Sequence, residues 1–230
     1  MLKFINQKRQ NILGATLIFP SKRHNPAEQI STIAERKQLH SSDEHSLYLT
    51  AVGIKPVTLQ DRFSGEELRV LKRLGMKTED TYKMYPDLKV TFVGRSSANV
   101  SLAAYASNDY ELGNALGYPS DAVSRYSQLT SQGKPPALAY LHNMIIAVEN
   151  GVQLPSWLAY VDHIPSEYNL KRGKVAESSE EYARIAMEHT VRGNYQLACK
   201  LHVDFFNRVS RIMADAGDIK QLMHFHYQTE

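Results

Sequence analysis

Hydrophobic residues recur every three or four positions along the last quarter of the chain, with polar and charged residues between them. Five residues follow this spacing, namely Leu197, Leu201, Phe205, Val209 and Ile212. Such spacing places side chains on one side of an α-helix. The pattern predicts a long helix over residues 195–216 whose apolar stripe lies against the core, with Phe206 and Met213 beside it.

Capping residues and glycines divide most of the remaining chain into shorter helices. Asn25-Pro26-Ala27-Glu28, Ser64-Gly65-Glu66-Glu67 and Ser178-Ser179-Glu180-Glu181 are typical helix starts, because a polar side chain can accept from a free backbone N–H group. Gly75, Gly151 and Gly193 are suited to helix ends. The predicted helices cover residues 26–39, 65–74, 98–106, 108–117, 120–130, 137–150 and 178–192.

Strand signals are confined to the first hundred residues. Residues 89–94 (KVTFVG) are short, β-branched and aromatic and end in glycine, which is typical of a strand. Residues 46–52 (SLYLTAV) predict a second strand after a polar loop at 40–45. The apolar stretch 12–19 is interpreted as a strand or a buried N-terminal segment.

These elements predict an α+β fold that is predominantly helical. A small strand-containing N-terminal half packs on a helical C-terminal half. Residues 1–107 form the mixed α/β portion and residues 108–230 the helical portion, either as two units or as one single domain.

A helix-helix corner is predicted at Leu116-Gly117-Tyr118-Pro119. Glycine adopts the left-handed conformation that often ends a helix, and proline suits the first turn of the next one. Leu116 is expected to point inward. The Tyr118 ring can either cover the corner or point into a pocket.

Composition narrows the class of protein only a little. The chain has 230 residues, of which 43% are hydrophobic and 22% charged, and a net charge of +3. This balance is typical of a globular protein and gives no support for a nucleic-acid partner. Cys199 is the only cysteine, which excludes an internal disulfide and a thiolate cluster. Without a long apolar run, we predict a soluble cytoplasmic protein that does not bind membranes.

Chemistry is most plausible in the irregular segment between the helices predicted at 137–150 and 178–192. Asp162 and His163 lie there among Trp157, Tyr160, Glu167 and Tyr168. Histidine titrates near neutrality, so His163 is a candidate general acid or base, with Asp162 as its partner. The alternative is a histidine hydrogen-bonded within a packed loop.

Other candidates have simpler explanations. His142 and Glu149 share a helix face, and His224 and His226 form an H-x-H pattern that a strand could present to a metal. Whether either pair binds a metal stays open, and no cofactor is indicated. Cys199 is predicted to be a buried small hydrophobe.

Two further features of the sequence bear on phosphate, nucleotide and hydrolase sites. A basic helix face carries Arg69, Lys72, Arg73 and Lys77, and we interpret it as a solvated surface in preference to a phosphate site. The usual Gly-rich nucleotide, serine-hydrolase and zinc-protease signatures are absent.

Three sequence pieces in order resemble a family of uncharacterised proteins. The family carries a V-G-R strand end, then L-G-Y-P-x-C-C, then H-x-P-C with a further cysteine. This chain has Val93-Gly94-Arg95, Leu116-Gly117-Tyr118-Pro119 and His163-Ile164-Pro165. The family's four cysteines would fall at Asp121, Ala122, Ser166 and Leu170. The resemblance therefore implies a shared scaffold without the cysteine site, and it names no reaction.

Two functions compete at this point, and whether the chain is an enzyme stays open. The first is a small-molecule-processing or small-molecule-binding protein with a pocket between the 117–119 corner and the 157–168 loop. Its catalytic residues would be His163 and Asp162, with ligand contacts from Tyr118, Arg125, Tyr126, Trp157 and Glu167. The alternative is a non-catalytic protein-interaction subunit that lost an ancestral cysteine site and uses exposed Trp157 and Tyr160. A nucleic-acid partner ranks last, and the oligomeric state is open.

Overall fold

The computed structural model describes residues 25–166 and 170–227. The α-helices are α1 (Pro26–Lys37), α2 (Ser41–Ala51), α3 (Gly65–Arg73), α4 (Ser97–Ala104), α5 (Asp109–Ala115), α6 (Ser120–Ser131), α7 (Pro136–Glu149), α8 (Glu177–Gly193), α9 (Tyr195–Ala214) and α10 (Ala216–Tyr227). Short 3₁₀ turns cover Ser156–Tyr160 and Leu170–Arg172. Most of the predicted helices are confirmed to within a few residues. The segment 12–19 lies outside the described residues.

The strands form one small antiparallel sheet in the first half of the chain. Its strands are β1 (Val57–Asp61), β2 (Lys77–Glu79) and β3 (Val90–Gly94), in the order β1-β3-β2. Strand β3 is central, and its Gly94 pairs with Val57 on one side and Lys77 on the other. The α+β class is confirmed, with helices dominating the second half.

Helix α2 replaces the loop and strand that residues 40–52 predict, so that prediction is wrong. Every residue from Glu44 to Ala51 is buried. A helix that is buried on all sides has no polar face, so its sequence lacks the 3.6-residue alternation that identifies surface helices. Thr50 stabilises the helical turn by donating from Oγ1 to the Ser46 carbonyl oxygen at 2.8 Å.

The long C-terminal helix is confirmed in its first twenty residues and then breaks. Helix α9 ends at Ala214, and α10 begins at Ala216 after Asp215. Four residues of the predicted stripe are buried, namely Leu197, Leu201, Phe205 and Ile212. Phe206, the neighbour of the stripe, is instead 60% exposed.

The predicted corner between α5 and α6 is confirmed. Gly117 has φ +81°, and a Cβ there would collide with the ring of Pro56. Leu116 is buried as expected. Glycine is therefore required twice, for its backbone conformation and for the close approach of Pro56. Because Lys55 precedes Pro56, this contact brings Lys55 to the corner.

The start of α8 differs from the predicted capping box. Its N-cap is Ala176, which provides no side-chain hydrogen bond. Ser178 instead donates to the Asp121 carboxylate, and Ser179 is fully buried within the first helical turn. The serines are therefore used for contacts with other segments rather than for capping.

One large hydrophobic core joins the two portions of the chain. It contains Ile33 and Leu71 from the first portion together with Tyr140, Leu158 and Leu201 from the second. A smaller apolar cluster lies around β3 and α4, with Phe92 at its centre. Among the described residues, no helix is both long enough and apolar enough to cross a membrane.

Candidate functional site

A buried ion pair joins the mixed portion to the loop after α7. Lys55 Nζ lies 2.6 Å from Asp162 Oδ2, and the two side chains are 0% and 2% exposed. Burial lowers the pKa of Lys55, but the charge and hydrogen bond of Asp162, together with the contribution of Tyr118, outweigh burial, so the pKa of Lys55 is raised overall. Burial raises the pKa of Asp162, but Lys55 and the contact with His163 together outweigh burial, so the pKa of this carboxyl is held well below its usual range. Both groups are therefore charged at neutral pH.

A chain of hydroxyl and amide donors leads from the sheet to the same carboxylate. Gln60 Nε2 donates to Thr58 Oγ1 at 3.3 Å, and Thr58 Oγ1 donates to Ser46 Oγ at 3.0 Å. Ser46 Oγ then donates to Asp162 Oδ2 at 3.1 Å. Each donor points towards Asp162, which fits an ionised acceptor. The position of Oδ2 is therefore fixed by Lys55 and Ser46.

His163 lies between Asp162 and the start of α8. Its Nδ1 is 3.5 Å from Asp162 Oδ1, and its Nε2 is 3.3 Å from Ser179 Oγ. The ring packs against Tyr118 and Tyr182, with centroid distances of 5.2 Å and 5.4 Å. The imidazole is therefore held by two ring contacts and by a polar partner at each nitrogen.

The Asp162 and His163 side chains point inward. Both residues are half-buried as a whole, whereas their side chains are 2% and 3% exposed. The exposed part of each residue is therefore mainly its backbone.

Two tyrosines complete the cluster. Lys55 Nζ lies 3.9 Å from the centroid of the Tyr118 ring, which is a cation–π contact. The Tyr182 hydroxyl is buried and has no hydrogen-bond partner among the described residues. Burial, reinforced by the Asp162 charge, raises the pKa of Tyr182 well above its ordinary value. Tyr182 is therefore a neutral hydroxyl that interacts with the Asp162 carboxylate without a hydrogen bond of ordinary length and angle.

A second buried histidine lies close to this cluster. His45 Nε2 is 2.9 Å from Thr190 Oγ1, and the His45 ring meets Tyr160 edge-on. Burial lowers the pKa of His45 to about 4, with Lys55 adding to the effect and Asp162 opposing it. His45 is therefore neutral at pH 7.

The structure brings together three of the predicted site residues, Tyr118, Asp162 and His163. Trp157 instead belongs to the large core and is 6% exposed. Glu167 lies outside the described residues.

The two predicted ligand contacts on α6 are placed as follows. Arg125 donates from Nη1 to Gln128 Oε1 at 2.9 Å on the same helix. Tyr126 is 38% exposed. Partial burial, together with the charge of Asp109, raises the pKa of its hydroxyl.

The predicted pocket between corner and loop is occupied by protein side chains in this structure, because Tyr118 packs directly on His163. A cleft of ≈ 460 Å³ lies elsewhere, between α9 and the end of α7 with the segment that follows it. Leu154, Phe205 and Phe206 are among its lining residues.

Sequence reasoning missed Lys55, Ser46, Ser179 and Tyr182. Lys55 follows a buried helix and precedes a proline, and no local pattern marks such a lysine as buried. Ser179 lies in the stretch Ser178-Ser179-Glu180-Glu181, whose composition predicts a helix cap. Only their three-dimensional contacts with Asp162 and His163 identify them.

Several other predicted roles change in the structure. Cys199 is exposed rather than buried. His224 and His226 lie on helix α10 and not on a strand. Glu149 pairs with Lys220 at 2.7 Å. Within residues 25–166 and 170–227, no group of three or more His, Cys, Asp or Glu side chains is placed to hold a metal ion.

Comparison of the chain with known protein families, curated proteins and solved structures gives no match. The functional proposal below therefore rests on the geometry of one group of side chains, which we call the Asp162 cluster. Its members are Lys55, Tyr118, Asp162, His163, Ser179 and Tyr182.

Proposed function

We propose that this protein processes a small polar molecule at the Asp162 cluster, with His163 as the proton-transferring group and Asp162 as its partner. The supporting observation is the convergence of charged and polar side chains from segments far apart in sequence. Lys55 and Asp162, for example, are 107 positions apart.

The energetics of burial support a functional role for this cluster. Removing two charges from water is expensive, and an apolar pair of similar size is often at least as stable. A buried ion pair next to a histidine and an unpartnered hydroxyl is therefore poorly explained by stability alone. Such clusters occur where proton transfer needs a preorganised environment.

Each member of the cluster has a chemical role in this proposal. His163 can accept or donate a proton at Nε2, while its Nδ1 faces the carboxylate of Asp162. Lys55 holds that carboxylate in place. The Tyr182 hydroxyl, which lies near Asp162 without a hydrogen bond of ordinary geometry, binds a polar atom of the ligand in this proposal. Tyr118 covers the ring of His163 and is the ligand contact at the corner, with Arg125 and Tyr126 further along α6.

The experiment incubates the purified chain with a metabolite extract from its source organism and follows every mass by untargeted mass spectrometry. We expect at least one compound to be bound or consumed by the natural chain and not by a folded His163→Gln variant. A folded natural chain that binds and consumes nothing would contradict the proposal. So would equal consumption by the variant.

The resemblance to the cysteine-bearing family remains a proposal, and one contact bears on it. Two of the positions where the family's cysteines would fall, Asp121 and Ser166, are joined here by a hydrogen bond of 2.7 Å from Ser166 Oγ. Residues from the corner and from the later loop therefore meet in space. In this chain that place holds a polar contact, and Ala122 and Leu170 at the other two positions are buried.

A second candidate function is a non-catalytic interaction subunit that lost such a cysteine site. Trp157 and Tyr160 cannot anchor a partner, because the structure buries both. Helix α9 instead exposes Tyr195, Val203 and Phe206, which are 68%, 58% and 60% exposed. Their spacing puts them on one side of the helix, where they suit a partner with an apolar, aromatic surface.

Affinity purification tests this second function. One stoichiometric partner should be retained by the natural chain and lost from a Val203→Asp/Phe206→Asp variant, while an Asp204→Asn control on the same helix retains it. We also propose a cytoplasmic location, since the single cysteine fits a reducing compartment.

A further inference from the structure

The hydrogen bonds around His163 form a directed series of three side chains. Ser179 Oγ lies 3.3 Å from His163 Nε2, and His163 Nδ1 lies 3.5 Å from Asp162 Oδ1. With Asp162 ionised, the proton of the neutral imidazole is expected on Nδ1, so that Nε2 can accept from the serine hydroxyl. The Ser179 hydroxyl, the His163 base and the Asp162 carboxylate that orients this base are thereby linked in a row. The two distances are those expected of such a row in a site without a ligand.

The fold fixes each of the three groups independently. Asp162 Oδ2 is held by Lys55 and Ser46, which leaves Oδ1 for the histidine. The imidazole makes ring contacts with both Tyr118 and Tyr182. Ser179 is the third residue of α8, so it belongs to a rigid element rather than to a loop.

The position of Ser179 also places it beside donors. The first N–H groups of an α-helix have no carbonyl partner within the helix and carry a partial positive charge. Ser179 lies in that first turn of a helix of seventeen residues. An oxygen that gains negative charge next to the serine would therefore be stabilised by the helix start.

The surrounding charges select the kind of ligand. The Asp121 carboxylate accepts from Ser178 and Ser166 next to this helix start, and Lys55 is already neutralised by Asp162. A phosphate dianion would meet negative charge here and no free cation of the cluster. A neutral carbonyl group meets neither obstacle when it binds, and the single negative charge that its oxygen gains during the reaction is the one that the helix start stabilises.

We propose that Ser179 is the nucleophile of this site, activated by His163 and oriented through Asp162, and that the ligand is a carboxylic ester or another activated acyl compound. This inference rests on the proposed function and names its reaction class. Ser179 touches the reacting carbon and is a catalytic residue in this scheme. Lys55 acts through Asp162 and is a positioning residue.

The reaction has two balanced stages. Ser179 Oγ forms a bond to the acyl carbon while its proton moves to His163 Nε2. The bond from that carbon to the leaving oxygen then breaks, and the leaving oxygen takes the proton from Nε2. Water, deprotonated by the same nitrogen, attacks the acyl-serine, releases the acid and restores the serine hydroxyl.

The reagent for the test has to be small and neutral, because Ser179 is fully buried next to His163. We choose diisopropyl fluorophosphate, in which the serine oxygen replaces fluoride at phosphorus. The adduct is located by intact-mass and peptide mass spectrometry on the full chain.

A single adduct is expected on Ser179 of the natural chain. Labelling should be absent in Ser179→Ala and about 100-fold or more slower in His163→Gln, which loses the base. The neighbouring variant Ser178→Ala should label at the natural rate. Labelling of a different serine, or an unmodified Ser179 in the folded natural chain, would overturn the inference.

A second variant covers the case in which Ser179→Ala does not fold. Ser179→Cys, made with Cys199→Ala, keeps the side-chain volume and places a thiol next to His163. Iodoacetamide should alkylate residue 179 rapidly at pH 7 and much more slowly when His163→Gln is added. Equal alkylation rates would show that His163 does not activate this position.

The two proposals can fail separately. If the extract experiment finds a compound whose consumption depends on His163 but Ser179 is never labelled, the site exists and the acyl chemistry is wrong. If both experiments are negative, the proposed function is wrong as well.

Discussion

Lys55 Nζ and Asp162 Oδ2 lie 2.6 Å apart, with both side chains shielded from water. The contact joins the turn before β1 to the loop after α7. It is the structural centre of the Asp162 cluster, because the hydrogen bonds of Ser46 and His163 also end on this carboxylate.

Removing one partner of this pair should be strongly destabilising. Lys55→Met leaves Asp162 as a lone buried charge, and breaking a buried pair from one side costs about 3–5 kcal/mol. The double variant Lys55→Met/Asp162→Leu should recover part of this loss, since no lone charge remains. Urea unfolding curves measure both. A loss below about 1 kcal/mol for Lys55→Met would show that the pair is open to water.

Buried His45 should make the protein less stable in mild acid. Its pKa is about 4 in the folded chain and 6.5 when unfolded, so the unfolded chain takes up a proton first as the pH falls. Its contribution is fully present above about pH 6.5 and is lost towards pH 4. Between pH 7.5 and 5 the free energy of unfolding should fall by roughly 2 kcal/mol.

The matched variants for this pH effect are His45→Gln and His224→Gln. The first should remove most of the decline between pH 7.5 and 5, and the second, at an exposed position, should preserve it. Asp162 does not confuse the result, because its lowered pKa delays its protonation to more acidic solutions. A decline that persists unchanged in His45→Gln would assign it to another group.

Gly117 should tolerate a methyl group much less well than another left-handed glycine. Gly117→Ala has to adopt φ +81° and also displace the ring of Pro56, whereas Gly133→Ala at φ +69° enters open space. The control should cost about 1 kcal/mol from backbone strain alone, and Gly117→Ala should exceed it by a further 1–3 kcal/mol. Thermal unfolding compares the two. Equal losses would show that Pro56 moves aside freely.

Tyr182→Phe should separate stability from function. The buried hydroxyl has no partner in the described structure, so removing it should leave the unfolding free energy unchanged or raise it by about 1 kcal/mol. If the hydroxyl binds the ligand as proposed, binding or turnover of the compound found in the extract should fall. A variant that is destabilised by 2 kcal/mol or more would show that the hydroxyl is bonded in the folded chain.

The sequence predicts those parts of the fold that local chemistry determines. Asn25 caps α1 by accepting from the Ala27 N–H, and Ser64 with Glu67 forms a complete capping box at α3. The corner at Gly117 follows from the positive φ of glycine and the preference of Pro119. In each case the signal lies within four residues, so no tertiary information is needed.

The sequence fails where burial removes the pattern. Helix α2 is enclosed by other elements, so its residues carry no polar face, and Leu47-Tyr48-Leu49-Thr50 resembles a strand. The prediction that Cys199 is buried is wrong because α9 carries apolar side chains on its exposed side as well as on its buried side. An apolar neighbour therefore does not indicate burial on this helix.

The candidate site was only partly predictable. Asp162 and His163 are adjacent titratable residues in a segment without regular periodicity, which is a visible signal. Lys55 and Ser179 join them only through contacts across 107 and 16 positions. The serine was obscured because Ser178-Ser179-Glu180-Glu181 has the composition of a helix cap.

The contact between Pro56 and Gly117 has a consequence for the order of folding. Lys55 is the neighbour of Pro56 in this contact, and its counter-ion Asp162 follows 107 residues later in the chain. During synthesis the first portion therefore leaves the ribosome before the carboxylate that neutralises the Lys55 ammonium group has been made. Burying that ammonium group without its counter-ion would be costly. Closing so long a loop is slow. We expect the Asp162 cluster to assemble among the last steps, after the sheet and the α5–α6 corner are in place.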